Sequence, residues 1–311
     1  MTFTQLEYII SLNIHKQFSL AAEKCYVTQP TLSMQIQKLE DELGVKLFDR
    51  TKQPVTVTQA GQEVITYARK IIAERDELLQ SISDKKDIVN GELRVGIIPT
   101  LAPYLLPLFI PLFTKKYPKI KLVVNEVTTD LLIRDLKEGA LDAGILVTPL
   151  YDKDIMENVL FYEELMVYTS KKSDLIGKEY ILSKDINPDK LWLLEEGHCF
   201  RSQVMNFCEL RKNSLHGSLF EYEAGSLETL IRLVDVTDGV TFLPELATLN
   251  LGVKQLRQLK LFKAPKPMRE VSLVTNKDFV KKKLVNLLKH EVLQSLPEKI
   301  KENKSKNIVA I

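Results

Sequence analysis

Residues Phe18 to Arg50, FSLAAEKCYVTQPTLSMQIQKLEDELGVKLFDR, decide how the front of the chain folds. Thr28 can cap a helix, Pro30 suits its first turn, and Leu32, Ile36 and Leu39 recur at i, i+4 and i+7. That spacing predicts a helix with one buried stripe. Its other face carries Thr31, Ser33, Gln35, Gln37 and Lys38, side chains that exchange hydrogen bonds with a partner or with water. Upstream, Leu6, Ile9, Ile10 and Leu12 predict a helix over residues 4–15, and Ala21 and Ala22 predict a short one over residues 19–26. Downstream of Leu43-Gly44, residues 46–58 read as two short strands around a turn at Gln53-Pro54.

Three helices followed by a small β-hairpin make a winged helix-turn-helix over residues 1–58. In such a unit the last helix enters the major groove of duplex DNA by its N-terminal half. Gln29, Pro30, Thr31, Ser33, Gln35 and Gln37 are then the candidate DNA contacts, and a glutamine can pair bidentately with adenine. Arg50 and Lys52 on the wing are expected to grip phosphate, so Arg50→Ala should lower the salt dependence of binding. Six basic residues in this segment are balanced by six acidic ones. Affinity therefore cannot come from a generally basic surface, and the copies must be held at a fixed spacing.

From Thr58 a long helix is expected over residues 59–87. Val64, Ala68, Ile71, Leu78 and Ile82 fall at alternating four- and three-residue steps once Arg75 takes a seam position. Such a seam predicts pairing with a second copy, the other reading being one amphipathic helix packed on its own chain. After Asn90-Gly91 strands are expected near 92–98, 121–126, 142–147, 191–195, 219–223, 240–243 and 270–275. Helices alternate with them near 101–116, 129–138, 198–211, 226–236 and 278–294. This alternation predicts parallel α/β sheets in two lobes with a cleft between them. The lysines at 299, 301, 304 and 306 predict a basic tail over 298–311 that frays.

The 311 residues exceed one ordinary core, and 45% hydrophobic with 27% charged residues is a globular balance. Apolar runs such as Leu105–Phe113 are too short to span a bilayer, and the N-terminus lacks a signal-peptide pattern, so a cytoplasmic location is expected. Three scattered cysteines do not make a disulfide scaffold.

The Phe18–Arg50 stretch resembles the LysR-type transcriptional regulators over a long, contiguous match. The resemblance implies an N-terminal winged helix-turn-helix, a linker helix, and a periplasmic-binding-protein-like effector domain over residues 88–297. Lobe I would take about 88–163 and 268–297, and lobe II about 164–267. It also implies a homodimer, a tetramer built as a dimer of dimers, and RNA polymerase as a partner. Leu194–Cys208, LEEGHCFRSQVMNFC, is similar to the peroxide-sensing branch of the family, as are Ile98–Pro107, Glu126–Leu132 and Ser226–Leu230. From that likeness Cys199 reacts with hydrogen peroxide and then forms a disulfide with Cys208, while Thr100 and Thr129 supply hydroxyls. The doublet Thr128-Thr129 leaves open which hydroxyl serves. No cofactor is implied.

Chemistry agrees with Cys199 as the nucleophile. It stands where a helix should begin, next to His198 and two residues from Arg201, and amides and cations there favour a thiolate. Nine residues of helix separate the two cysteines by about 13–14 Å, whereas a disulfide tolerates roughly 7 Å between α-carbons. Oxidation must therefore unwind or remodel residues 199–208. His198, Cys199, Cys208 and His216 are poorly spaced for zinc, and Cys25 reads as core. Two other readings remain: a regulator that binds a metabolite in the cleft with incidental cysteines, and a thiol peroxidase.

Overall fold

The computed structural model describes residues 1–83, 90–195, 199–209, 224–277, 279, 281–304 and 307–309; within 59–83, the side chains at 73, 76, 77 and 79–83 lie outside that description. The chain divides into two compact units, Met1–Asn90 with Glu138–Ala140, and Gly91–Lys137 with Leu141–Ile311.

In the first unit, α1 (Phe3–His15) starts in a reciprocal cap: the Gln5 amide donates to Thr2 Oγ1, and the Thr2 amide donates to Gln5 Oε1. It is followed by α2 (Phe18–Lys24) and α3 (Gln29–Leu43), which ends at Gly44 with φ 70°. Leu32, Ile36 and Leu39 meet Leu6, Ile9, Leu12, Ala21 and Ala22 in one core, each large side chain contributing roughly 2 kcal/mol of burial. The wing is β1 (Phe48–Asp49) paired antiparallel with β2 (Thr56–Val57). α4 (Gln59–Ser83) leaves the wing at Gly61, where a Cβ would stand 2.1 Å from the Leu47 carbonyl oxygen. Only glycine permits that approach.

The expected seam divides along α4. Ala68 is 1% exposed inside the winged-helix core, with Ile65, and Val64 packs against the same core. These positions are occupied by their own domain, because the first half of α4 lies along α1. Ile71 and Leu78 are 37% and 61% exposed and face outward. The Ile82 side chain is outside the described residues.

The second unit is built on one mixed sheet. Its strands are β3 (Gly91–Ile97), β4 (Ile120–Glu126), β5 (Ala143–Thr148), β6 (Ile155–Thr169), β7 (Tyr180–Ile181), β8 (Val240–Pro244), β9 (Leu259–Phe262) and β10 (Met268–Asn276). The order is β4-β3-β5-β10-β6-β9-β7, with β8 also paired to β6. β3 is parallel to β4 and β5, but β10 is antiparallel to both β5 and β6. The sheet is therefore mixed rather than parallel. β6 and β10 run from one lobe into the other.

The helices are α5 (Ala102–Lys116), α6 (Thr129–Lys137), α7 (Cys199–Phe207), α8 (Leu227–Val236), α9 (Glu245–Thr248), α10 (Val253–Leu256), α11 (Lys282–Ser295) and α12 (Glu298–Lys301). The expected strand at 191–195 appears only as isolated bridges from Leu191 to Val240 and from Leu194 to Ala224. The one expected at 219–223 lies outside the described residues.

The tail departs from expectation. Ile300 of α12 is buried, Lys299 pairs with the buried Glu245, and Met268 bridges Ile308. Apolar residues between the lysines, not the lysines themselves, fix this segment.

Candidate functional site

The site forms where β3, α6, α7 and β10 converge. Cys199 is the first residue of α7 and is buried with Phe200, Gln203 and Val204. Thr100 lies between β3 and α5, and Thr129 opens α6; both hydroxyl-bearing residues are buried. Burial pushes the Cys199 thiol up, and the Thr129 hydroxyl, the Arg269 guanidinium, and the amides of Phe200 and Cys199 itself oppose it. The net direction is upward. In this packing the thiol is held protonated, although the thiolate's supporting groups are already in place.

Arg269 was not singled out by the sequence. Its side chain is fully buried, its Nε donates to Glu163 Oε1 at 2.7 Å, and its Nη1 and Nη2 donate to Thr100 Oγ1 at 3.1 Å and the Thr100 carbonyl at 3.3 Å. The guanidinium also sits 5.5 Å from the centre of the Phe200 ring. Strand pairing brings Arg269 opposite Glu163, so β10 and β6 form the ion pair by register. Burial pushes Glu163 up, while Arg269 and the Leu246 amide, which donates at 2.9 Å, hold it down.

Thr129 Oγ1 is buried and makes no hydrogen bond of ordinary geometry, as is true of Tyr104 Oη. A buried orphan hydroxyl is costly, and one beside a nucleophile offers bonding capacity to a small polar guest. Arg201 was expected to act on Cys199, but its Nη1 donates to the Leu194 carbonyl at 2.9 Å. That bond directs its charge to the loop before α7, and Arg269 supplies the cation that acts on the thiol. His198 lies outside the described residues.

Cys208 follows α7, and its amide still donates to the Val204 carbonyl at 3.0 Å, so the helical path continues to it. Both cysteines are free thiols, and burial pushes Cys208 up to about 12. Along that helix they are about 13–14 Å apart.

On the winged helix, Gln29 and Pro30 are exposed, and Thr31, Ser33, Gln35 and Gln37 are half-buried. Gln35 Oε1 accepts from Gln5 Nε2 at 3.4 Å, and Gln37 Nε2 donates to Asp41 Oδ1 at 2.7 Å. An open groove of ≈ 550 Å³ is lined by His15, Lys16, Gln29, Arg50, Lys52 and Gln53 among others. Met34, which the polar pattern hid, is exposed on α3 and suits a thymine methyl group.

Arg50 is engaged inside the unit. Its Nη2 donates to Glu40 Oε2 at 3.0 Å and its Nη1 to Ser33 Oγ at 3.2 Å, and Glu40 Oε1 accepts from the Leu47 amide. Glu40 thus ties α3 to the wing through Arg50. We expect Arg50→Ala to loosen that junction and to weaken DNA binding, with a lower salt slope if Arg50 also grips phosphate as expected from the sequence. Lys52 lies 3.6 Å from Asp49 and is largely exposed, as the expected phosphate contact requires. Lys52→Ala should reduce the slope of log affinity against log salt by about 0.9. Titrations at several salt concentrations check both.

Family comparison agrees with this geometry. The model for bacterial regulatory helix-turn-helix proteins of the lysR family matches residues 3–62, and the LysR substrate binding domain matches residues 86–297. The chain belongs to the LysR family. This LysR-type regulator is 37% identical over 278 residues to the DNA-binding transcriptional dual regulator OxyR of Escherichia coli, covering 88% of this chain and 89% of that one. Full-length OxyR from Pseudomonas aeruginosa, as a cysteine-to-aspartate variant, has a TM-score of 0.80 at 33% identity and covers 94% of this chain and 98% of its own. A hydrogen-peroxide-bound cysteine variant of Corynebacterium glutamicum OxyR has a TM-score of 0.63 at 26% identity, covering 96% and 94%. The regulator's two lobes are thus those of the LysR effector fold.

Proposed function

We propose that this LysR-type regulator binds duplex DNA through α3 and the wing and senses hydrogen peroxide at Cys199. The observation that carries the reading is the buried Cys199 thiol beside the Thr129 hydroxyl, which makes no other hydrogen bond, with Arg269 acting on the same sulfur. Peroxide is small enough to enter such a site and polar enough to accept and donate hydrogen bonds there. Relatives named as hydrogen peroxide-inducible genes activators support the same reading.

The thiolate attacks one peroxide oxygen, the O–O bond breaks, and the departing hydroxide leaves as water with the proton that Cys199 gave up. Thr129 and Arg269 are placed to orient the oxidant and stabilise charge on the leaving oxygen. The Cys208 thiol then attacks the sulfenic sulfur and a second water leaves, giving the Cys199–Cys208 disulfide. Because the two cysteines cannot bridge while α7 is intact, the bond selects another packing of this segment. Altered effector-domain pairing would then change which DNA half-sites the copies reach together. Exposed Ile71 and Leu78 favour pairing of α4 with a second copy, and assembly as a tetramer, contact with RNA polymerase and a cytoplasmic location complete the proposal.

Peroxide titration with thiol counting tests the function. The chain should lose two thiols, Cys208→Ser should lose one, and Cys199→Ser should lose none at matched peroxide. Two-thiol loss without Cys199, or no loss at all, would leave the metabolite reading in its place. Because burial raises the thiol, the rate of the first loss should also climb with pH between about pH 6 and pH 9, as more Cys199 ionises. A flat profile would contradict the protonated resting thiol.

A further inference from the structure

α7 is held from the side by the tail. Gln203, one turn beyond Cys199 and fully buried, donates from Nε2 to the Val309 carbonyl at 3.1 Å. The Val309 amide donates to the Met268 carbonyl at 2.8 Å, and the Met268 amide donates to the Asn307 carbonyl at 3.0 Å. Asn303 Nδ2 anchors the same segment on the Tyr162 carbonyl at 3.0 Å and on Glu245 Oε2 at 2.8 Å. Met268 directly precedes Arg269, so the tail is seated against both halves of the site, the helix that carries the thiol and the strand that carries its cation. The family match to the effector domain ends at residue 297, and these contacts lie beyond it.

We propose that the tail, through Asn303, Asn307 and Val309, acts as a brake on oxidation, with Gln203 a positioning residue that holds α7 in its reduced packing. The inference rests on the redox reading of Cys199 and Cys208. Gln203 lies between the two cysteines, in the segment that cannot stay helical once they are joined. A docked tail therefore binds the reduced packing in preference, and any such preference shifts the equilibrium toward that state. Gln203 Oε1 has no partner in this packing, so the brake is incomplete and release removes one buried penalty. By reciprocity, forming the disulfide must weaken docking of the tail.

The test is a redox titration of the full-length protein in glutathione buffers. One glutathione disulfide takes two electrons and two protons from the Cys199 and Cys208 thiols, yielding the protein disulfide and two reduced glutathiones. Val309→Asp puts a charge into the tail's buried seat without altering the sequence of α7, and a chain ended after Lys304 removes the Asn307 and Val309 contacts while keeping the Asn303 anchors. Each should shift the equilibrium constant toward the disulfide by roughly fivefold to tenfold, the worth of one or two buried hydrogen bonds. In the unaltered protein, oxidation should also lower hydrogen-exchange protection at the Met268 and Val309 amides. If both variants titrate as the unaltered chain does, or if those amides stay protected in the disulfide form, the brake is overturned while the redox reading stands. If the unaltered chain forms no Cys199–Cys208 disulfide, the redox reading falls and the brake with it.

Discussion

Arg269→Met is expected to cost the effector domain about 3–5 kcal/mol, because it strands the Glu163 carboxylate without its cation in a site that excludes water. Arg269 and Glu163 are both fully buried, and only the Leu246 amide would still donate to Glu163. The double variant Arg269→Met with Glu163→Leu should recover most of that stability, since a matched apolar pair removes both desolvation penalties. It should not recover reactivity, because the Thr100 contacts and the positive charge acting on Cys199 stay lost. Urea denaturation of the single and double variants, alongside the rate of thiol loss in peroxide, separates the two roles. Full recovery of both would reduce Arg269 to a structural residue.

Thr129→Val is expected to have the opposite signature. Its hydroxyl makes no hydrogen bond of ordinary geometry and has only the weakly accepting Cys199 sulfur beside it, so stability should stay within about 0.5 kcal/mol or rise. The oxidation rate should nonetheless fall on the order of a hundredfold, as when a placed donor is removed from a reacting oxygen. Thr129→Ser should restore most of the rate. Stopped-flow measurement of thiol loss checks this, and an unaltered rate in Thr129→Val would remove Thr129 from the chemistry. The companion variant Thr128→Val resolves the ambiguity of the threonine doublet, and should leave the rate near that of the unaltered chain.

The parts of the molecule that could be read from sequence are those whose signal is local. Leu32, Ile36 and Leu39 announce α3 because one helix face repeats every three or four residues, and Cys199 stands out as a cysteine at a helix start. β6 was not legible, since Glu157, Glu163 and Glu164 interrupt its apolar pattern, and the buried Glu163 is balanced by Arg269, 106 positions away, and by the Leu246 amide. Arg269 itself looks like any surface arginine until β10 is laid beside β6. Ala68 fits a seam by spacing alone, but α1 already occupies its face. The tail hides its placement in the same way: its lysines suggest solvent, whereas Ile300, Val309 and backbone pairing to Met268 decide where it goes.

The central claim is that joining Cys199 to Cys208 forces α7 into another packing. Hydrogen exchange across residues 199–209, compared between the fully reduced protein and a form whose disulfide is verified by mass, tests it most directly. Oxidation should remove protection through this segment, including at the Cys208 amide that now donates to the Val204 carbonyl. A verified disulfide with that protection unchanged would contradict it.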